Sequence, residues 1–230
     1  MQPKYRHIEI IEKHAGLLAV LIAIMVSLGG LAEITPLFVK AHAVEAAPGI
    51  RPYDALRLAG KDIYVREGCY LCHSQMIRTL RFETQRYGTY SVASESVYDR
   101  PFQWGSKRTG PDLARIGGKY SDDWQRRHLS TPRELVPASN MPNYPWLSGA
   151  TIDAEHLQAK MRTLRFLGDP YTDAEIAAAP AAVAGKTELD AIVAYMQGLG
   201  VSNVSIDRAA TSVPVPAAAP TEVAIPPATP

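Results

Sequence analysis

Only two cysteines occur in this chain, and both lie in the pentapeptide C-Y-L-C-H at residues 69–73. Two thiols three positions apart on one helical turn can each meet one vinyl group of a porphyrin, and the adjacent histidine then lies under the iron. The motif therefore predicts one covalently attached haem c. Cys69 and Cys72 would hold the porphyrin, and His73 would be the first axial ligand.

Three other interpretations of the motif are a chance pair of cysteines, a C-x-x-C redox motif and half of a zinc site. A zinc site needs four ligands, and the sequence contains no second pair of cysteines. A thioredoxin-like motif lies in a βαβ pattern, which this sequence does not have. We therefore predict haem attachment.

Length and charge limit the remaining possibilities. With 230 residues the chain is long enough for one or two domains with a buried core, and the haem motif leaves no cysteine for a disulfide. The formal net charge is +1, and the basic residues are interleaved with acidic ones. We therefore expect no nucleic acid among the partners.

A long uncharged stretch follows a polar leader at residues 1–14. Ala15 to Ala32 are 18 uncharged, mostly aliphatic residues, and the apolar character resumes after Glu33. At 1.5 Å per residue this stretch spans about 27 Å, close to the roughly 30 Å of a bilayer's hydrocarbon core. We therefore expect one transmembrane anchor at residues 15–39, in contact with the lipid bilayer.

The alternative to an anchor is a cleaved signal peptide, because residues 41–43 form an A-x-A triplet. The apolar region of signal peptides is usually about 7 to 15 residues long, which is shorter than this one. The triplet also lies well beyond the apolar stretch. An uncleaved anchor is therefore our prediction.

Charge predicts the orientation of the anchor. Lys4, Arg6 and Lys13 precede it, whereas only Lys40 follows it closely. The positive-inside rule then places the N-terminus in the cytoplasm and the rest of the chain in the periplasm, at a bacterial inner membrane. Covalent haem attachment in bacteria takes place on the periplasmic side, which agrees with this orientation.

Composition divides the rest of the chain into three parts. We expect a linker at residues 40–50 and a periplasmic monohaem cytochrome c domain at residues 51–205. Residues 206–230 are rich in proline and alanine, low in charge and without periodicity. Such a composition predicts an extended or disordered tail.

Two segments of the domain have the apolar spacing of helices. Asp54 to Glu67 leads directly into the haem motif, and Thr187 to Leu199 begins with a threonine that can cap it. They resemble the two crossing helices of monohaem cytochromes c, in which a glycine makes room for an aromatic residue, here Gly60 against Tyr195. Leu167 to Lys186, rich in Ala and Gly, is predicted to be a flexible connection.

An electron-carrying haem needs a second axial ligand, and methionine is the usual one in cytochromes c. The chain has six methionines, two of which fall in the leader and the apolar stretch. Met76 is too close to His73 to reach the opposite face of the porphyrin. Met161 and Met196 have the spacing of helical core residues. Met141, in a proline-punctuated loop, is therefore the predicted ligand, and the alternative is a methionine that covers a surface groove.

Residues 110–113 read G-P-D-L, which matches the G-P-x-L turn that follows the haem motif in cytochrome c domains. In those domains the proline carbonyl accepts a hydrogen bond from Nδ1 of the ligating histidine. The resemblance implies the same bond from His73 to Pro111. Such a bond fixes the ring and increases its basicity.

Three segments of the chain resemble the membrane-anchored monohaem cytochrome c subunit of cbb3-type cytochrome c oxidases, a branch of the haem-copper oxidases. They are residues 68–78, 98–113 and 132–146. With the anchor, the resemblance covers roughly residues 5–200. It implies a mainly α fold. A single N-terminal transmembrane helix would precede a cytochrome c-like helical domain with a long loop insert.

The resemblance also implies a function. The chain would take electrons from a further c-type cytochrome subunit or a soluble cytochrome c, and pass them to a catalytic haem-copper subunit that reduces dioxygen to water and pumps protons. Family precedent for Cys69, Cys72, His73 and Met141 agrees with the assignments from spacing. This chain would have no catalytic activity of its own. The alternatives are a free-standing membrane-anchored cytochrome c shuttle and a haem-based gas sensor with an open sixth position.

Generic soluble cytochromes c lack the insert between Arg78 and Thr109, so we expect it to dock on the catalytic subunit. Its aromatic and cationic side chains are types that are enriched at interfaces or able to pair with haem propionates. A solvated loop is the alternative. The side chains concerned are Tyr87, Tyr90, Phe102, Trp104, Lys107 and Arg108.

Overall fold

The computed structural model describes residues 6–39 and 45–200. The chain divides into two compact units, Met1–Glu45 and Ala46–Pro230. The described residues are mainly helical and contain no β-strand, which confirms the predicted fold class. The A-x-A triplet at residues 41–43 and the tail predicted at residues 206–230 lie outside the described residues.

The first unit contains two helices, α1 (Arg6–Lys13) and α2 (Ala15–Val39). Within α2, Ala15–Pro36 is long and apolar enough to cross a membrane. Its large aliphatic side chains are exposed within the chain. An exposed apolar surface of this size requires cover by lipid or by protein.

The second unit is built from seven helices, as far as the structure describes it. They are α3 (Ala55–Arg66), α4 (Arg81–Tyr87), α5 (Asp122–Ser130), α6 (Pro132–Leu135), α7 (Ala154–Phe166), α8 (Asp173–Val183) and α9 (Glu188–Gly198). Short 3₁₀ turns lie at Cys69–Leu71, Ala93–Glu95 and Pro145–Ser148. The core is mostly aliphatic and includes Met161 and Met196, which confirms that these two methionines are core residues.

The two helices predicted from apolar spacing, Asp54 to Glu67 and Thr187 to Leu199, correspond to α3 and α9. Asp54 caps α3 by accepting a hydrogen bond from the Arg57 backbone N–H at 2.9 Å. α9 begins with a capping box in which Thr187 and Asp190 each bond the other's backbone. Both caps satisfy backbone N–H groups that a helix start otherwise leaves without partners.

α3 and α9 cross in close contact at Gly60. A Cβ atom on Gly60 would lie 2.0 Å from the Ala191 carbonyl oxygen and 2.7 Å from Tyr195 Cβ. Only glycine fits this crossing without displacing a backbone. The predicted contact of Gly60 with Tyr195 is therefore confirmed, although the closest approach is to the Ala191 carbonyl. The Tyr195 ring then packs against that of Tyr64, with centroids 5.5 Å apart.

The prediction of a flexible connection at residues 167–186 is wrong, because this segment contains α8. Thr172 and Glu175 form a capping box at its start, with the Glu175 backbone N–H donating to Thr172 Oγ1 at 3.2 Å. Ile176 and Val183 are buried in the core. The alanine-rich composition that suggested flexibility also has high helix propensity, and the cap starts the helix.

The insert between Arg78 and Thr109 contains α4 and one 3₁₀ turn, and ion pairs hold it against the helices. Asp99 pairs with Lys61 of α3, whose side chain is buried. Arg100 donates to Asp169, which precedes α8, at 2.9 Å. The insert is therefore packed against the domain, although most of its residues, unlike the buried Glu83 and Gln103, are exposed or half-buried.

Candidate haem-binding site

The C-x-x-C-H motif lies on a tight turn directly after α3. The backbone N–H groups of Cys72 and His73 both donate to the Cys69 carbonyl, at 3.2 and 2.9 Å. Both thiols are free, and Cys69 is half-buried whereas Cys72 is exposed. Burial raises the pKa of the Cys69 thiol to about 12, so this sulfur is protonated at neutral pH.

His73 is held by the G-P-D-L turn. Its Nδ1 lies 2.8 Å from the Pro111 carbonyl oxygen, which confirms the bond that the sequence implied. Because a carbonyl can only accept, Nδ1 carries the proton and Nε2 keeps its lone pair. Burial lowers the pKa of His73 and so favours this neutral form, although the Pro111 bond and the Asp112 charge act in the opposite direction.

Gly110 gives the His73 ring its room. A Cβ atom on Gly110 would lie 2.3 Å from His73 Cε1 and 2.8 Å from both ring nitrogens. The ring therefore lies flat on the glycine backbone while Pro111 holds its edge. Any side chain at position 110 would push the imidazole out of this orientation.

Met141 lies in the loop between α6 and the turn at Pro145–Ser148. Its backbone N–H donates to Ser139 Oγ at 3.2 Å, and the Ser139 carbonyl accepts from Arg133 Nε at 3.1 Å. The Tyr144 backbone N–H donates to the Leu129 carbonyl at 2.8 Å, which ties the loop to α5. The Met141 side chain is half-buried and packs on the edge of the core. The assignment of Met141 as the second axial ligand stays a prediction.

His128 of α5 is a polar residue of this region that the sequence analysis missed. Its ring stacks on Trp124, with centroids 4.6 Å apart. Its Nδ1 is buried and has no hydrogen-bond partner within the described part of the chain. Burial and then the nearby charge of His73 lower the pKa of His128. The i, i+4 spacing of Trp124 and His128 is the sequence signal that would have placed both on one helix face.

Arg108 departs from the sequence expectation. It was expected at an interface or beside a haem propionate, but its guanidinium is engaged inside the domain with Glu83 and Asp112. Trp104 is half-buried and donates to Ser96 Oγ at 3.1 Å, and Tyr87 is half-buried as well. The other three side chains of that set are exposed: Tyr90, Phe102 and Lys107.

The residues at this site fit a haem. Two free thiols precede an imidazole whose Nδ1 is held by Pro111, which leaves Nε2 for a metal. Among residues 6–39 and 45–200, no group of three or more His, Cys, Asp or Glu side chains is arranged to hold a metal ion. Two thiols followed by an imidazole are the side chains that hold a haem c.

A comparison with curated proteins gives no match to this chain. A family model described as cytochrome c oxidase, mono-heme subunit/FixO matches residues 8–187, which is most of the chain. The matched region includes α2, the thiol pair, the G-P-D-L turn and the loop of Met141. The name of the family states one haem and membership of an oxidase, in agreement with the site and with the apolar helix. The chain belongs to the cytochrome c oxidase mono-heme subunit (FixO) family.

Proposed function

We propose that this chain is the electron-transfer subunit of a terminal respiratory oxidase. It takes electrons from a partner c-type cytochrome and passes them, through one covalently bound haem c, to the catalytic haem-copper subunit that reduces dioxygen to water. The observation that carries the proposal is the bond between His73 Nδ1 and the Pro111 carbonyl, because it leaves Nε2 aimed for ligation beside two free thiols. Family membership supplies the oxidase context.

In this proposal Cys69 and Cys72 form the covalent links. Each S–H would add across one porphyrin vinyl group, with the sulfur bonded to one vinyl carbon and the hydrogen to the other, so that no oxidant is needed. His73 and Met141 would be the two side chains that hold the iron. The bound haem supplies a one-electron couple, and methionine ligation and a buried setting both favour its reduced state.

The remaining residues act on the haem through its ligands. Pro111 holds the proton of His73 on Nδ1, and Gly110 sets the plane of the ring. The hydrogen bonds that tie the Met141 loop to α5 and α6 keep the thioether sulfur in place. With both axial positions filled, the chain transfers electrons and makes no bond to a substrate.

We further propose that α2 anchors the chain in the inner membrane, with the N-terminus in the cytoplasm. The haem domain, residues 51–205, then lies in the periplasm. A fixed anchor keeps the haem at the outer surface of the membrane, within reach of a membrane-embedded partner. There are two alternatives. A mobile shuttle would need no constant partner, and a gas sensor would leave one coordination position of the iron open.

Purification of the full chain from its native membrane in mild detergent tests the proposal. We expect the red 25.1 kDa chain to keep its colour through acid-acetone extraction and to copurify with a subunit that contains a high-spin b-type haem. A coloured chain that purifies alone would favour the shuttle. Carbon monoxide binding to the reduced chain would favour the sensor, and colour lost in acid acetone would reject covalent attachment.

A further inference from the structure

Arg108 is the centre of a buried polar cluster that we define as Ser74, Glu83, Arg108 and Asp112. Arg108 Nε donates to Ser74 Oγ at 2.7 Å. Its Nη2 donates to Glu83 Oε2 at 2.8 Å and to the Met76 carbonyl at 2.9 Å, and lies 3.3 Å from Asp112 Oδ2. One guanidinium therefore joins four acceptors on three segments of the chain.

The two carboxylates of the Arg108 cluster are buried and hydrogen-bonded. Glu83 is 0% exposed and also accepts from the Arg78 backbone N–H at 2.8 Å. Asp112 Oδ2 accepts from Ser74 Oγ at 2.6 Å and from the Met76 backbone N–H at 3.0 Å. A buried carboxylate without its cation is strongly unfavourable. Arg78 Nε also pairs with Glu83 Oε1 at 2.5 Å, so Arg108 is the cation that joins Glu83 to Asp112.

The Arg108 cluster lies directly behind the proposed haem ligand. Ser74 follows His73 in the chain, and Asp112 follows Pro111, whose carbonyl binds His73 Nδ1. Two backbone hydrogen bonds join the same segments, from Gly110 N–H to the Cys72 carbonyl at 3.0 Å and from Leu113 N–H to the Ser74 carbonyl at 2.8 Å. The position of the Pro111 carbonyl relative to the imidazole therefore depends on the hydrogen bonds that join residues 72–74 to residues 110–113.

We infer that Arg108 is a positioning residue for the haem: through Ser74 and Asp112 it fixes the hydrogen bond between His73 and Pro111. The inference rests on the proposed function, because it takes His73 to be the iron ligand. Arginine is required for this role because a planar fork can serve several acceptors at fixed angles. A lysine ammonium keeps the charge but cannot span Ser74, Glu83 and the Met76 carbonyl at once.

The inference also gives the insert a role in the haem domain. Glu83 belongs to α4, and Arg108 lies at the far end of the insert. Both ends of the insert therefore contribute a residue, Glu83 or Arg108, to the cluster that lies next to His73 and Pro111. A change at Glu83 should affect the His73 bond in the same direction as a change at Arg108, although more weakly, because Ser74 and Asp112 still hold the arginine.

The test compares Arg108→Lys with the control Arg162→Lys in the full haem-loaded chain. Both changes keep the charge. Arg162 is a matched control because it is exposed on α7, where its Nη2 donates to Gln158 Oε1 at 2.9 Å, outside the cluster. In the reduced protein, NMR follows the exchange of the His73 Nδ1 proton with solvent, and a redox titration gives the potential. We expect Arg108→Lys to speed the exchange about fivefold or more, as loss of one hydrogen bond would. We also expect the potential to rise, because a less basic imidazole stabilises ferric iron less.

If Arg108→Lys does not accumulate, Glu83→Gln serves in its place. We expect its proton exchange rate and its reduction potential to rise as well, by smaller amounts. Exchange rates and potentials that match those of Arg162→Lys, in a chain with its normal haem spectrum, would overturn the inference and leave the proposed function intact. An unmodified chain without covalent haem would overturn the proposed function, and this inference with it.

Discussion

His73 owes its orientation to residues that lie 37 and 38 positions further along the chain, Gly110 and Pro111. The first gives the ring a flat surface, and the second holds the Nδ1 proton. The Pro111 bond was predicted, because the G-P-x-L turn has a fixed relation to the haem motif, whereas the close approach of Gly110 to the ring came from the structure. The support behind the turn was not predictable, because Arg108 and Glu83 lie in an aperiodic segment that gives no indication of which charges meet.

At the same scale, Met141→Leu tests the second axial ligand. Leucine has a similar volume, so the loop should still pack, but it has no sulfur to offer the iron. We expect the low-spin absorption spectrum to be lost and the reduction potential to fall. Met76→Leu, close to His73 in sequence, is the control and should keep both properties. An unchanged spectrum and potential in Met141→Leu would mean that another residue is the ligand.

Among the elements, α3 and α9 were the most predictable. Each has apolar residues at helical intervals, and each begins with a side chain that caps it. α8 was missed because its alanine-rich sequence has little contrast between a buried and an exposed face. The useful signal was the Thr172 and Glu175 pair, which indicates a helix start irrespective of the residues that follow.

The crossing of α3 with α9 gives a prediction at the scale of elements. In Gly60→Ala the new methyl group would meet the Ala191 carbonyl and force the helices apart. We expect the free energy of unfolding to fall by about 3 kcal/mol or more, measured by denaturant titration followed by circular dichroism. Gly149→Ala is the control, since its nearest neighbour would be the Trp146 carbonyl oxygen at an ordinary 3.9 Å. Equal stability of the two variants would contradict the close crossing.

For the molecule as a whole, the insert is bound to the helical domain by charge as well as by packing. Hydrogen bonds from Arg108 lower the pKa of Glu83 from its ordinary 4.5 to about 2, although burial acts the other way. A carboxylate whose pKa is lower in the folded chain stabilises that state above pH 4.5. This contribution is lost as the pH falls from about 4.5 to about 2.

Acid stability of the whole chain therefore tests this bond. We expect the free energy of unfolding to fall more steeply in the unmodified chain than in Glu83→Gln between about pH 4.5 and pH 2. Glu155→Gln, at an exposed position on α7, should keep the slope of the unmodified chain. Parallel curves for Glu83→Gln and the unmodified chain would show that Glu83 does not carry this pH dependence.

The close crossing at Gly60 has a consequence for how the protein is made. Glu188, where α9 begins, follows Cys72 by 116 residues. If α2 is the proposed anchor and the segments after it cross the membrane in chain order, both thiols emerge long before α9 can dock on α3, and contacts between such distant segments form slowly. Under the proposed function, the thiols would therefore be open to haem attachment during this interval, and the docking of α9 on α3 would follow it.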